Sequence, residues 1–345
     1  DSIKRSTEAL DNLQNSTKSD KSAVTKRQIE TFQTELDNSR TLSMQLYTTV
    51  IKPRSRDYDP KLREACTITM GKIVQLAPDD FGDMNIIKVL INALNDESSK
   101  NRKQAIKQIE SLISPKSDLK EFAPFFKQIS PILVKICDDV DNSLSIAAFK
   151  LMNKMLKKKL FHCKTGEVEC IFKLTGDDSL NVRTQAAQFF THFLFKGKLV
   201  KELKQSGNDE SQVQALNEAQ LTEFARLSSE FSEAQLINSI SVFSTMLDCF
   251  SNWDLICEII ISSDDSDQQQ EFVKILSISA EAHSKNGTDD QIDRLTHSML
   301  SYLSKSKNQG LLQLFDHDET SLTYLTYILQ YLDITVISGV SQEKL

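Results

Sequence analysis

The chain has 345 residues, 39% hydrophobic and 26% charged, with 9 Gly, 6 Pro and a formal net charge of -7. So little Gly and Pro argues against turn-rich β structure, and no run of about 20 apolar residues is present to span a membrane. The six Cys, at 66, 137, 163, 170, 249 and 257, have no framework spacing, which excludes a disulfide scaffold and points to reduced, buried thiols in an intracellular protein.

The N-terminus, Asp1-Ser2-Ile3-Lys4-Arg5, has neither an initiator Met nor an apolar leader, the start expected of an excised fragment. Residues 1–51 read as a helical arm ending near Ile51, with a polar linker over 12–28. A four-beat ladder follows. Asp59…Arg63…Cys66 is echoed by Asp96…Arg102…Ala105, Asp139…Ser145…Ala148 and Asp178…Arg183…Ala186. The small residue recurs after 39, 43 and 38 positions, close to the period of HEAT-type helical hairpins. Each Asp is expected to cap a helix start, each Arg to pair with acids of a neighbouring repeat, and each small residue to admit a close neighbour.

Apolar residues recur at helical spacing after each beat, as in Ala148, Leu151, Met152 and Met155. Before the beats lie partner helices, marked by Ile87, Leu90, Ile91 and Leu94, and by Ile129, Ile132, Leu133 and Ile136. The reading is an all-α HEAT-repeat α-solenoid of stacked antiparallel hairpins, suited to extended partners. Polar stretches at 205–218, 262–270 and 283–290 read as loops, the first of them dividing a basic half from an acidic one.

That division is sharp. Residues 1–204 carry 34 Lys and Arg against 26 acids, whereas residues 205–345 carry 7 against 22. The first half therefore steers toward a polyanion and the second repels one. Basic residues cluster near successive hairpin ends: Lys52, Arg54 and Arg56; Lys100, Lys103 and Lys107; Lys154, Lys157, Lys158, Lys159 and Lys164; Lys196, Lys198, Lys201 and Lys204. Aligned along a groove, they would grip phosphates without reading bases. A surface lysine more often only solvates its helix, so recurrence is what raises this set above background.

Nothing suggests an enzyme, a metal site or a cofactor. His162, Cys163 and Cys170 lack a zinc spacing, no phosphate-binding glycine loop occurs, and no Ser/Cys–His–acid grouping is evident. The rival reading is a protein-only HEAT scaffold or karyopherin-like transport adaptor. Such arrays are commonly acidic throughout, which the divided charge disfavours.

The stretch 50–160 resembles the stromalin conservative domain of the cohesin complex's HEAT subunit. Val50, Arg54, Asp57, Arg63 and Cys66 fall in the order of that family's opening motif, and Gly71, Pro78, Phe81 and Leu94-Asn95-Asp96 follow. Val182-Arg183, Asn252-Trp253-Asp254 and Leu329-Gln330-Tyr331 are similar to later family segments. The chain departs where the family has an exposed aromatic and its accompanying Arg, here Asn92 and Gln128, so a pocket for aromatic-containing peptides is not expected in its usual form.

The resemblance implies a non-enzymatic nuclear, chromosomal adaptor for sister chromatid cohesion, cohesin loading and chromosome segregation. It would bind the kleisin subunit and double-stranded DNA without sequence preference, and meet the SMC subunits, loader and release factors through the complex. The expected organisation is an arm (1–51), a stromalin conservative domain (52–160), a further basic repeat (161–204) and acidic repeats (205–345).

Overall fold

The computed structural model describes residues 23–113, 122–200, 209–286, 289–303, 311–315 and 318–332, and every regular element among them is helical. The chain divides into two units, residues 1–163 and 164–345. In the first, α1 (Ala23–Leu46) runs through a π-helical turn (Tyr47–Ile51) into a short helix, Lys52–Arg54. Then come α2 (Pro60–Leu76), α3 (Met84–Leu94), α4 (Ser99–Leu112), α5 (Ala123–Cys137) and α6 (Asn142–Lys157). Helices α3 and α4 form one hairpin, α5 and α6 the next. Helices α2, α4 and α6 make one layer, and α3 lies against α5 in the other.

The second unit repeats the pattern. A 3₁₀ segment (Phe172–Gly176) pairs with α7 (Leu180–Phe190), which runs on as a π-helix over Thr191–Lys198. After it come α8 (Asp209–Ser228), α9 (Glu233–Phe243), α10 (Trp253–Ser262), α11 (Ser266–Asn286), α12 (Asp289–Leu303) and α13 (Glu319–Ile328). Helices α7, α9, α11 and α13 pack in succession as one layer. Its core is aromatic: Phe172 meets Phe190 edge-on at 4.9 Å, and Phe224 meets Phe250 at 5.0 Å. Such edge-to-face pairs add to the gain from burying the rings.

One short-range device starts the second helix of each beat. The Asp57 carboxylate accepts the backbone N–H of Asp59 at 3.0 Å, Asp96 that of Ser98 at 2.9 Å, Asp139 that of Asp141 at 3.0 Å, and Asp177 that of Ser179 at 2.7 Å. These are Asx turns, and the helix begins at the following residue. The expected register therefore shifts at two beats, from Asp59 to Asp57 and from Asp178 to Asp177. Asp59 does cap α2, accepting from Lys61. Asp96, Asp139 and Asp178 are not caps: Ser98, Asp141 and Ser179 hold those positions, and of these Asp141 caps through its side chain.

Six residues after each turn aspartate stands the Arg or its substitute. Arg63 donates to the Asp57 and Tyr58 carbonyls, Arg102 to those of Asp96 and Glu97, and Arg183 to those of Asp177 and Asp178. Two also reach the next repeat. Arg63 forks onto Asp96 at 2.7 and 2.9 Å, and Arg102 meets Asp139 at 2.6 Å. Arg183 has no carboxylate partner among the described residues, and Ser145 is long enough only to reach the Asp139 carbonyl at 3.1 Å.

The small residues behave as the spacing requires, with Cys66, Ala105, Ala148 and Ala186 all buried. Gly71 lets α2 approach α4 closely, since a Cβ built there would stand 2.5 Å from the Gln108 Cβ.

Three expected loops are mostly helix. Residues 209–218 belong to α8, whose Glu, Gln, Ala and Leu are good helix formers and whose Leu221 and Phe224 are buried. Of 262–270 only 263–265 is loop, and 283–286 completes α11. Residues 23–28 of the expected linker open α1, while 12–22 and 205–208 lie outside the described residues. Polar composition misled here because a helix half-exposed on a two-layer stack needs only one narrow apolar stripe.

Candidate nucleic-acid interface

Contacts between α4 and α6 show that the two run parallel. Near their starts Lys103 Nζ donates to Ser143 Oγ at 2.9 Å, and near their ends Lys154 Nζ donates to the Glu110 carbonyl at 3.0 Å. Equal positions in successive repeats therefore lie side by side. Counted from each turn aspartate, position +4 holds Lys61 and Lys100 and position +11 holds Lys107 and Lys150, while position +15 holds Lys72 and, two repeats on, Lys154, with Ser111 between them. All are exposed except Lys154, which is partly covered by its bonds to α4.

With Lys103 and Lys157, this layer of α2, α4 and α6 carries eight lysines. Its helices hold only two carboxylates, Glu64 and Glu110, and Glu110 lies 3.6 Å from Lys154. The facing helices α3 and α5 carry only Lys88, Lys127 and Lys135. Positive charge is thus concentrated on one layer, where parallel helices bring it into rows.

The end of α6 adds a second feature. Leu160 N–H donates to the Met155 carbonyl at 2.9 Å and Lys159 N–H to that of Leu156 at 3.0 Å, with Met155 and Leu160 both buried. This is a Schellman ending. It places Lys159 at φ 59°, the left-handed position usually filled by glycine. Lys157, Lys158 and Lys159 are all exposed there, beside the negative end of the helix dipole.

The other expected contacts divide. Lys52 and Arg56 are exposed beside α3, away from these rows, while Arg54 is held by Asp57 at 2.7 Å. In the second unit Lys164 and Lys196 are exposed and Lys198 is half-buried. Lys201 and Lys204 lie outside the described residues. Lys61, Lys72 and Lys150 were missing from the expected set. The register counted from Asp57, Asp96 and Asp139 is the signal that finds them.

The ladder joining these helices is electrostatically tight. Burial alone would raise the Asp96 carboxyl, but hydrogen bonds from Arg63, the Ser98 N–H and Asn101 outweigh it and hold the group below the usual carboxylate range. Asn101, itself buried, donates to Asp96 at 2.7 Å and touches Thr67 at 3.0 Å.

Residues 56–130 match the family model of the stromalin conservative domain. The chain carries a stromalin conservative domain. The domain takes in α2, α3, α4 and the first half of α5, and so the Arg63–Asp96 step of the ladder and the Arg, though not the Asp, of the next. The chain is also 25% identical over 138 residues to sister-chromatid cohesion protein 3 of Arabidopsis thaliana, a match covering 40% of this chain and 12% of that protein. In fold it is similar to cohesin subunit Scc3 from Z. rouxii, with a TM-score of 0.61 and 14% identity over 99% of this chain and 42% of that one. The matches thus span 12% and 42% of these relatives' own lengths. Asn92 and Gln128, the residues at which the sequence departs from the resemblance, stand exposed on α3 and α5.

Proposed function

We propose that this chain is a cohesin accessory module of stromalin type that binds double-stranded DNA without sequence preference through the lysine rows of α2, α4 and α6. The observation that carries the reading is those rows, with eight lysines facing two carboxylates on parallel helices. A duplex presents closely spaced phosphates along its axis, and neutralising several of them releases counterions. Lysines on helix surfaces supply point charges for that task and no base-reading geometry.

The role is that of an adaptor and not of a catalyst. The acidic second half is better placed to hold the kleisin chain, with the SMC subunits, loader and release factors met through the assembled complex at the chromosome. What supports the kleisin assignment is the stromalin domain together with the charge division. The test is a mobility-shift titration with unrelated random duplexes, with and without the kleisin chain. Lys103→Glu, Lys107→Glu and Lys154→Glu together should weaken binding to every duplex alike. If the triple variant binds as tightly as the parent, the rows are not the DNA surface; if the parent binds no duplex in either condition, a protein-only scaffold is the better reading.

A further inference from the structure

We propose that Ser143 is a phosphorylation site, at which a covalent phosphate turns the lysine rows from attracting a duplex to repelling it. The inference rests on the DNA reading above and adds its control. Counted from the turn aspartates, position +4 holds Lys61, Lys100 and then Ser143, so the third place in that row is a hydroxyl. Ser143 is exposed in the first turn of α6, and Lys103 of the neighbouring repeat donates to its Oγ at 2.9 Å. A cation of the rows is therefore already in contact with an atom that can carry a phosphate.

The surroundings decide what that phosphate meets. Ser143 Oγ donates to Asp141 Oδ1 at 2.6 Å, and the Ser143 N–H donates to the same oxygen at 2.9 Å. Hydroxyl and N–H together hold the Asp141 carboxyl below the usual carboxylate range. Esterification removes the hydroxyl proton and sets Asp141 against a second anion, so the phosphate turns away from Asp141 and toward Lys103. Asp139 adds little repulsion, because Arg102 holds it at 2.6 Å. The positive end of the α6 dipole favours the new charge. With close to two negative charges and three acceptor oxygens, the group ties down Lys103 in the row of Lys61 and Lys100. One cation leaves the duplex surface and an anion enters it.

Ser111 shows what is particular to Ser143. It too falls in a row, at position +15 between Lys72 and Lys154. Its hydroxyl donates to the Gln108 carbonyl at 2.6 Å, and it stands in the last turn of α4, where the helix dipole opposes an anion.

The approach to Ser143 is open. Residues 138–141 precede α6 without helix, three of the four are Asp, and Val140 is fully exposed between them. Such a stretch suits a serine kinase with a basic peptide groove. In the transfer, Ser143 Oγ bonds to the γ-phosphorus of a nucleoside triphosphate and the bridging β–γ P–O bond breaks. The nucleoside diphosphate leaves, and the hydroxyl proton passes to the base of the kinase.

Phosphoserine installed at position 143 of the whole chain during translation tests the switch. Mobility-shift titration with a random duplex should show affinity at least about tenfold below the parent, with a salt slope shallower by about 1. Phosphoserine at Ser229, exposed in the acidic half, should change affinity less than about twofold, which separates the local effect from net charge. The phosphorus-31 resonance reads the site without DNA: its titration, ordinarily at about pH 6, should rise by at least about half a unit in Lys103→Ala. Treating the parent with ATP and a serine kinase that prefers acids before its target should place phosphate on Ser143 and none on the buried Ser145. Unaltered circular dichroism at 222 nm keeps a folding defect from imitating the switch. A phosphorylated chain that binds duplex like the parent, a titration unmoved by Lys103→Ala, or no phosphate on Ser143 would each overturn the proposal. Failure of the DNA reading looks different, since the unmodified parent then binds no duplex at all.

Discussion

Arg63 and Asp96, 33 positions apart, meet as a two-pronged pair, Nε to Oδ2 at 2.7 Å and Nη2 to Oδ1 at 2.9 Å, with both side chains only 9% exposed. The same guanidinium closes its own turn by donating to Asp57 and Tyr58, so one residue fixes a turn and ties it to the next repeat. Removing one member of such a pair leaves the other charge buried and uncompensated.

Arg63→Ala should therefore lower the unfolding free energy of the first unit by about 3 kcal/mol. Arg63→Lys should recover little, because an ammonium cannot fork onto a carboxylate. Urea unfolding followed by circular dichroism at 222 nm measures both, and a loss below about 1 kcal/mol would show the pair to be no stronger than a surface ion pair.

The same pair sets an acid limit. Asp96 is depressed in the folded state, so its contribution is fully present above the unfolded carboxylate value of about 3.9 and is lost as pH falls through the lower folded value. Stability below about pH 4 should fall more steeply in the parent than in Asp96→Asn, which starts less stable and has no proton to take up at this site. Parallel curves for the two proteins in that range would contradict this.

Gly71 lies within α2, where alanine ordinarily stabilises a helix by about 1 kcal/mol. At this position the added Cβ would meet Gln108 Cβ at 2.5 Å, so α2 and α4 must separate. Gly71→Ala should cost about 2 kcal/mol in a urea titration. Gln108→Ala in the same chain should recover part of the loss, since part of the obstruction is the Gln108 side chain.

Lys159 adopts a left-handed conformation that glycine takes without strain. Lys159→Gly should stabilise the protein by about 1 kcal/mol while weakening duplex binding. Opposite movements of melting temperature and DNA affinity in this one variant would show that the cation is kept there at a cost in stability. If affinity does not change, the lysine is only a poor cap.

Each phosphate contact leaves its mark on the salt dependence. Lys107→Ala should reduce the slope of log affinity against log salt by about 1, equally for unrelated sequences. Lys127→Ala, on the opposite layer, should leave the slope unchanged.

Much of the architecture could be read from the chain because the repeat is written in chemistry that acts over a few residues. Cys66, Ala105, Ala148 and Ala186 are legible as contact positions, and Arg63 and Arg102 as links to acids of the next repeat. The turn aspartates were less legible. Asp57 and Asp59 stand two apart and both accept backbone N–H groups, so only the fold shows which one faces a neighbour. Arg183 looks like Arg63 in sequence, yet its contacts stop at its own turn. Clustering along the chain brought out Lys157–Lys159 but missed Lys72, whose shared repeat position with Lys154 shows only when the repeats are counted from their turn aspartates.

The interval from turn aspartate to small residue is nine in every beat, from Asp57 to Cys66, Asp96 to Ala105, Asp139 to Ala148 and Asp177 to Ala186. All the unevenness in repeat length falls elsewhere. One residue inserted in that interval would swing the following helix by about 100° and carry the Arg away from its carbonyls. The same insertion in a connection between repeats would only lengthen a surface loop, at little cost. The chain is thus divided into short stretches that must keep their count and longer ones free to drift, and relatives of different length should differ in the second kind.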